Sequence, residues 1–395
     1  MYLEIPEGMF EGHDMSGKVL RLWRALYGLK QSPRLWNIHI DKALGEFGLV
    51  RLTADFCVYA IYDGADRVLL GLFVDDMFII GAIFSKIEGV KQFLHSRFRM
   101  KDLGKAAYLL GMEIRRQPEG GILLLQEKYT REILFKFAAG NCRVVSTPLP
   151  PYSKLSAADS PQTPEARALM VNVPYRSAIG SLMYLAVCTR PDLSAAISSL
   201  SRFNADPGEA HWEAVQHILR YLTGTAGEGI FYKPGSSTKI WGYCDSSHLT
   251  CPDTARSRGG YIFVSADGAI SWKSTLLPTA TLSSCESEYV ALTAAAQEAS
   301  YLRNLQIQMQ GTSIPAAPIC IYIDSQPALD LVNNPVYHSR SKHIQARYHF
   351  VRDRVFVEKE IKVERVPSGQ MGADMLTKHA SVGVVRYNKK LVGMM

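Results

Sequence analysis

The stretch Leu-Ser-Ser-Cys-Glu-Ser-Glu-Tyr-Val-Ala-Leu, residues 282–292, opens a long helical pattern, and its two glutamates decide how the second half of the chain is read. Glu286 and Glu288 lie two residues apart, which places them on roughly opposite sides of a helix. Helical steps from Glu288 meet Leu292, Ala295, Ala299 and Leu302, an apolar stripe. Steps from Glu286 meet Val290, Thr293, Gln297, Ser300 and Asn304. Glu288 is therefore expected to face a sheet. Glu286 completes Ser283-x-x-Glu, a capping box, and so has a structural task already.

Strand signals surround this helix, which should run from about Ser284 to Gln308. Ile240 to Cys244 is apolar on both faces, as a buried strand would be. Tyr261 to Val264 and Ile270 to Trp272 flank Ala266-Asp267-Gly268, a hairpin signal, so three antiparallel strands are expected. A buried strand Ile319 to Ile323 and a strand Ile361 to Val366 complete an α/β layer. Asp245 and Asp324 each follow a strand, where such sheets place ligands. Asp374 falls on a short helix after Val366-Pro367. If Asp245, Glu288, Asp324 and Asp374 converge, they repel unless cations hold them. Two Mg²⁺ ions about 4 Å apart can align a water and a leaving oxygen on a phosphodiester. Four unrelated surface or capping acids are the alternative, and spacing alone leaves both readings open.

The chain has 395 residues, 47% hydrophobic and 21% charged, which excludes disorder as its main state. A formal charge of +7 permits a polyanionic partner without proving one. Seven cysteines without Cys-x-x-Cys spacing point to a reducing intracellular compartment, cytoplasmic or nuclear, rather than to secretion. Asp75 and Asp76 interrupt the most apolar stretch, Val68 to Ala82, so no membrane span is expected, and the start lacks the pattern of a signal peptide. The organisation expected is a mixed region 1–145, a Pro/Ser-rich linker 146–170, a helical connector 171–235, the sheet region 236–380 and a tail 381–395. In the first region, Val68 to Val74 and Met77 to Ile80 read as buried strands of a hairpin carrying Asp75-Asp76. That pair suits either an ordinary turn or the metal-holding turn of a polymerase. Arg340, Lys342, His343 and Arg347, with His349, Arg352 and Arg354, form a one-signed cluster that reads as phosphate contacts or as a solvated face. The tryptophans at 23, 36, 212, 241 and 272 read as core anchors.

Several motifs carry a family resemblance. Gly-Tyr-Cys-Asp245, Gly268-Ala-Ile-Ser-Trp-Lys273, the 282–292 stretch, Ile-Asp324-Ser-Gln-Pro-Ala, His338-Ser-Arg-Ser-Lys-His-Ile344 and Ala-Asp374-Met-Leu-Thr-Lys resemble, in order, the RNase H domain of copia-type retrotransposon Pol polyproteins. Leu26-Tyr-Gly-Leu-Lys-Gln-Ser-Pro-Arg-Leu-Trp36, Phe-Val-Asp75-Asp76, Lys101-Asp-Leu-Gly and Tyr108-Leu-Leu-Gly-Met-Glu-Ile114 resemble the reverse transcriptase of the same family. The resemblance continues through Thr189-Arg-Pro-Asp192 and covers the chain to about Lys378.

It implies a multidomain α+β and α/β chain with an incomplete reverse-transcriptase palm, a helical connector and an RNase H-like five-stranded mixed sheet with helices. Metal-binding and catalytic roles pass to Asp245, Glu288, Asp324 and Asp374, with Mg²⁺ in a two-metal site, Mn²⁺ as a substitute, and an RNA/DNA hybrid as partner and substrate. Asp75 and Asp76 take the corresponding roles in the polymerase, and Lys30 and Arg34 lie near nucleotide or template. The family's first polymerase Asp precedes its Pro-Glu-Gly segment, here Pro6-Glu-Gly. DNA synthesis by this chain alone is therefore not expected, and association with upstream Pol segments would be needed. The chain departs from the family pattern at Ser247 and His248, at Ser325, and at Phe73, where Tyr is usual. An inactive genomic relic with at most weak nucleic-acid binding is the rival reading.

Overall fold

Pro33 and Gly48 bracket the first long helix, α1 (Ser32–Phe47). A proline in the first turn loses no intrahelical bond, and Gly48 at φ 97° takes the left-handed cap, its N–H donating to the Gly45 and Leu44 carbonyls. The computed structural model describes residues 2–395 except 7–8, 11–14, 16, 65, 138–141, 312–316 and 335–344. It divides into two compact units, Met1–Gly104 with Gln308–Ser313, and Lys105–Ile307 with Ile314–Met395.

In the first unit β1 (Tyr2–Leu3) pairs with β2 (Leu20–Arg21). An antiparallel sheet follows in chain order: β3 (Val50–Arg51), β4 (Val58–Asp63), β5 (Asp66–Phe73) and β6 (Asp76–Gly81). Val68, Leu70 and Leu72 alternate along β5 and share a core with Ile40 and Leu44 of α1 and with Val90 and Leu94 of α2 (Phe84–Arg97). The expected hairpin is present, but only β5 is buried. β6 is half-buried to exposed along its length, because it is the edge strand of the sheet.

The second unit opens with β7 (Tyr108–Leu109), β8 (Met112–Arg116), β9 (Ile122–Leu125) and α3 (Glu127–Lys136). Next come α4 (Pro164–Met170), α5 (Tyr175–Cys188), α6 (Ser194–Leu200), α7 (Glu209–Thr225) and β10 (Gly229–Tyr232). Strand β10 pairs antiparallel with β9, Gly229 opposite Leu125. A Cβ at Gly229 would stand 2.4 Å from the Leu124 carbonyl oxygen, so only glycine allows this approach. Residues 105–137, grouped by sequence with the first region, thus lie in the second unit, where their sheet closes on the strand that ends the connector. Within the expected linker, Thr163 caps α4 by accepting the Ala166 N–H at 3.2 Å, and Pro164 occupies the first turn. Leu182, Ile197, Val215 and Ile218 pack α5, α6 and α7 together.

The sheet region contains β11 (Trp241–Ser247), β12 (Arg258–Ser265), β13 (Gly268–Leu276), α8 (Ser284–Gln310), β14 (Ile319–Ile323), α9 (Gln326–Asn333), α10 (Gln345–Arg352), β15 (Ile361–Arg365), α11 (Asp374–Thr377) and α12 (Val382–Leu391). Strand order is β13-β12-β11-β14-β15, antiparallel among β11–β13 and parallel across β11, β14 and β15. This is the five-stranded mixed sheet that the family resemblance implies. Tyr289, Leu292, Ala295 and Ala299 of α8 cover one face. Met375 and Leu376 of α11, with Val392 and Met394, cover the other. Residues 381–395 are therefore not a loose tail: Met394 bridges Ile230, and the Met395 N–H donates to the Gly229 carbonyl at 3.1 Å. Among the described residues no helix is long and apolar enough to cross a membrane, and all seven cysteines are free thiols.

Candidate metal centre

Strand register brings the acids together. Tyr243 of β11 lies beside Tyr322 of β14 in a parallel ladder, so Asp245 and Asp324, each two residues further on, emerge side by side on the same face. Strand β11 continues to Ser247 against β12 rather than ending before Asp245. The acid sits where β11 loses β14 as a neighbour. Helix α8 crosses beside this point, and Ser246, one residue on and facing the opposite way, donates its hydroxyl to Ser287 Oγ at 2.8 Å. That contact fixes the helix so that Glu288 turns toward the strand ends. Carboxylate oxygens of Asp245, Glu288 and Asp324 lie within 4.8 Å of one another.

The neighbouring glutamate does what the sequence predicts for it. The Glu286 N–H donates to Ser283 Oγ at 3.1 Å, and Glu286 Oε2 accepts the Leu282 N–H at 2.7 Å. The reach-back goes one residue further than in a standard capping box.

Burial makes this cluster expensive to ionise. Asp245 is 1% exposed, and burial raises its carboxyl far above the usual range. Asp374 and Asp324 add to the shift, while Lys378 and the Thr377 hydroxyl oppose it. Glu288 is raised too, first by burial and then by Asp245 and Asp324, with hydrogen bonds from Ser246 offsetting part. Its Oε2 is buried and has no hydrogen-bond partner. An orphaned acceptor beside two more carboxylates is the donor set a hard divalent cation takes.

Asp374, the fourth expected acid, is not part of this trio. It stands at the start of α11 and pairs with Lys378 at 2.7 Å. The same ammonium lies 3.6 Å from Asp245, and Thr377 also donates its hydroxyl to Asp245. Burial alone would lower the Lys378 ammonium, but Asp245, Asp374 and Asp324 outweigh it and raise it. Thr377 and Lys378 were not singled out by the sequence reading. The signal for Lys378 was its position four residues after Asp374, an i,i+4 pair on a helix.

In the first unit Asp75 and Asp76 are exposed at the tip of the β5–β6 hairpin, where water screens them, so their proximity does not by itself demand a cation. Phe73 pairs with Asp76, leaving Val74-Asp75 as a two-residue turn with Val74 at φ 55°, a conformation that glycine takes more easily than a β-branched residue. The Trp36 indole N–H donates to the Val74 carbonyl, tying the turn to α1, whose first turn carries exposed Arg34. Lys30 is exposed just before that helix. Trp23, expected in a core, is 83% exposed. It lies outside every strand and helix, with the Arg21 guanidinium 4.5 Å from its ring centroid. Arg347 is half-buried on α10, whereas Arg340, Lys342 and His343 lie outside the described residues.

A family model described as reverse transcriptase (RNA-dependent DNA polymerase) matches residues 1–151. The chain is 41% identical over 396 residues to the retrovirus-related Pol polyprotein from transposon TNT 1-94 of Nicotiana tabacum, covering 100% of this chain and 29% of that polyprotein. It is 33% identical over 392 residues to the corresponding polyprotein from transposon RE2 of Arabidopsis thaliana, covering 99% of this chain and 26% of that one. The chain thus spans less than a third of these two relatives. It is also 31% identical over 291 residues to the putative transposon Ty5-1 protein of Saccharomyces cerevisiae, covering 73% of this chain and 92% of that protein. Among solved structures, the N-terminal RNase H domain of a Mycobacterium tuberculosis protein aligns at 15% identity and a TM-score of 0.26, over 39% of this chain and 98% of that one. LC11-RNase H1 in complex with an RNA/DNA hybrid aligns at 15% identity and 0.27, over 37% and 97%. By its sequence relatives, the chain belongs to the copia-type family of retrovirus-related Pol polyproteins.

Proposed function

We propose that the sheet region of this Pol fragment is a divalent-metal-dependent nuclease that hydrolyses the RNA strand of RNA/DNA hybrids. One observation carries the reading: Asp245, Glu288 and Asp324 bring carboxylate oxygens within 4.8 Å of one another, and the buried Glu288 Oε2 has no partner. All three donors are hard oxygens, which fits Mg²⁺ and, as a substitute, Mn²⁺. Asp374 is proposed as the fourth ligand, with Lys378 as its counter-ion in the cation-free chain. Bound cations would lower the pKa of a water and offset charge on the phosphodiester. Without them, Asp245 and Glu288 hold protons in preference to ionising together, and they release those protons on loading. The Thr377 hydroxyl, donating to Asp245, fixes which oxygen of that carboxylate is left for other partners.

For the first unit, the family model over residues 1–151 supports a polymerase reading of the Asp75-Asp76 turn, with Lys30 and Arg34 as nucleotide or template contacts and the rest of the site supplied through association with other Pol segments. Intracellular residence, cytoplasmic or nuclear, is part of the same proposal.

The test is cleavage of a labelled RNA/DNA hybrid by the 395-residue chain. Cutting that requires Mg²⁺, stops with EDTA and is lost in Asp324→Asn is expected. Equal cutting by wild type and Asp324→Asn, or none by either, would refute the assignment and favour an inactive relic.

A further inference from the structure

Two sheets of the second unit end side by side. Strand β10 is the edge of β10-β9-β8-β7, and β13 is the edge of β13-β12-β11-β14-β15. They touch at one corner, where the Tyr232 hydroxyl donates to the Ala269 carbonyl at 2.7 Å and the Lys233 N–H donates to the Ala266 carbonyl at 3.0 Å. Residues 392–395 fill the slot beside that corner. The Phe231 N–H donates to the Gly393 carbonyl at 2.8 Å, Gly229 and Met395 exchange N–H and carbonyl at 3.0 and 3.1 Å, and Met394 bridges Ile230 antiparallel. On the other side the Ala269 N–H of β13 donates to the Val392 carbonyl at 2.9 Å.

A bare edge strand offers its N–H and carbonyl groups to any extended chain. Here one short segment serves two edges, and its residues set what fits. Val392 is fully buried and Met394 is 5% exposed, in one core with Ile230 and with Ala373, Met375 and Leu376 at α11. Gly393 takes φ 73°, and a Cβ there would run into the Asp267 carbonyl oxygen and stand 2.8 Å from Gly268 Cα. The pattern accepted is therefore apolar, glycine, apolar. The segment is joined to the fold through α12, where Lys389 donates to the Tyr221 hydroxyl at 3.3 Å and pairs with Glu228.

We infer that the slot between β10 and β13 is a binding site for an extended apolar strand with glycine at its second position, filled by residues 392–395 of the same chain, and that its occupancy holds α11 in place. The backbone bonds supply affinity, and the two buried side chains with the glycine supply selectivity. Helix α11 carries Asp374 and Thr377, with Lys378 next to it, and all three bear on Asp245. An empty slot removes packing beneath them. This consequence for cutting rests on the proposed action on hybrids.

The test pairs the full chain bearing Gly393→Val, which cannot seat the segment, with a fluorescent Lys-Leu-Val-Gly-Met-Met peptide, residues 390–395. By anisotropy the peptide should bind the variant about tenfold more tightly than wild type, whose slot is already filled. The same peptide with valine in place of glycine should bind neither chain. Gly393→Val should cut the hybrid about tenfold more slowly, and saturating peptide should restore cutting. Equal binding to both chains, binding to neither, or no effect of bound peptide on cutting by the variant overturns the inference. If the variant loses the circular dichroism of wild type, hydrogen exchange in wild type decides. Gly229, Phe231 and Ala269 amides that open together ahead of the rest of β10 and β13 support the slot, and exchange of these amides only with global unfolding overturns it. If the variant takes up the peptide while wild type fails to cut, the slot stands and the nuclease falls. If wild type cuts and the peptide binds neither chain, the nuclease stands and the slot falls.

Discussion

Asp192→Asn should expose how much of the connector depends on one buried ion pair. Arg190 and Asp192 are 1% and 0% exposed in their side chains. Arg190 Nε donates to Asp192 Oδ1 at 3.0 Å, and Nη2 donates to Oδ2 at 2.8 Å. Tyr221 donates its hydroxyl to Asp192 Oδ2 at 2.8 Å, and Arg190 also donates to the Thr225 carbonyl at 2.8 Å. Burial alone would raise the Asp192 carboxyl, but Arg190 outweighs it and holds it below the usual range. Asparagine keeps the shape and removes the charge.

Breaking one side of such a pair costs about 3–5 kcal/mol, because the other charge stays buried. Glu228 lies 3.8 Å from the same guanidinium and retains part of the compensation, which favours about 3 kcal/mol. For a unit of roughly 285 residues, unfolding entropy near 2.1 cal/mol/K per residue turns that into a fall in Tm of about 5 °C. Thermal unfolding followed by circular dichroism, or urea titration, reads it. Replacing both partners, Arg190→Met with Asp192→Leu, should recover most of the loss. A loss below about 1 kcal/mol in Asp192→Asn, or a double variant no better than the single one, would show that the pair does not hold the connector.

Two further outcomes follow from the acidic centre. Asp245 and Glu288 bind protons more tightly in the folded chain than in the unfolded one. The stability they contribute is therefore fully present below about pH 4 and is lost as pH rises through neutrality and beyond. Glu288→Gln should make the metal-free chain about 1–3 kcal/mol less sensitive to a rise from pH 5 to pH 9; parallel stability profiles for variant and wild type would count against the buried cluster. At Gly260, which pairs with Asp245 across the sheet, an added Cβ would stand 2.7 Å from Leu376 Cβ and 3.1 Å from Thr377 Cγ2. Gly260→Ala should cost about 1–3 kcal/mol and reduce hybrid cleavage by shifting α11 with Thr377, Lys378 and Asp374. Normal stability and cleavage in that variant would mean α11 can move without consequence.

Much of the sheet region was legible locally. Alternating apolar residues, the Asp-Gly turn and a helix with one apolar stripe each depend on neighbours within a few residues, so Asp245 and Asp324 could be placed after strands and Glu288 on the inward helix face, while their convergence stayed one of two open readings. Glu286 was separable from Glu288 for the same reason, since a capping box is a local hydrogen-bond pattern. What failed was non-local. Pairing of Ile122–Leu125 with Gly229–Tyr232 joins segments about a hundred residues apart, and no local pattern announces such a partner. The final residues read as a tail because Val392 and Met394 look like isolated apolar positions until the sheet face they cover is known. Trp23 shows the converse: a large ring outside the strands and helices is not buried by its size alone.

Residue order alone determined which side chains had the chemistry for a metal centre, which face of the long helix carried the useful glutamate, and the family to which the chain belongs. Only the tertiary structure decided that Asp374 turns to Lys378 while three other acids share one pocket, and that Arg258 is buried facing hydroxyls with no carboxylate to pair with among the described residues. The division has a physical cause. Secondary structure and capping arise from contacts a few residues apart, whereas charge balance at a site depends on which distant groups packing happens to place beside it, and on how much water that packing excludes.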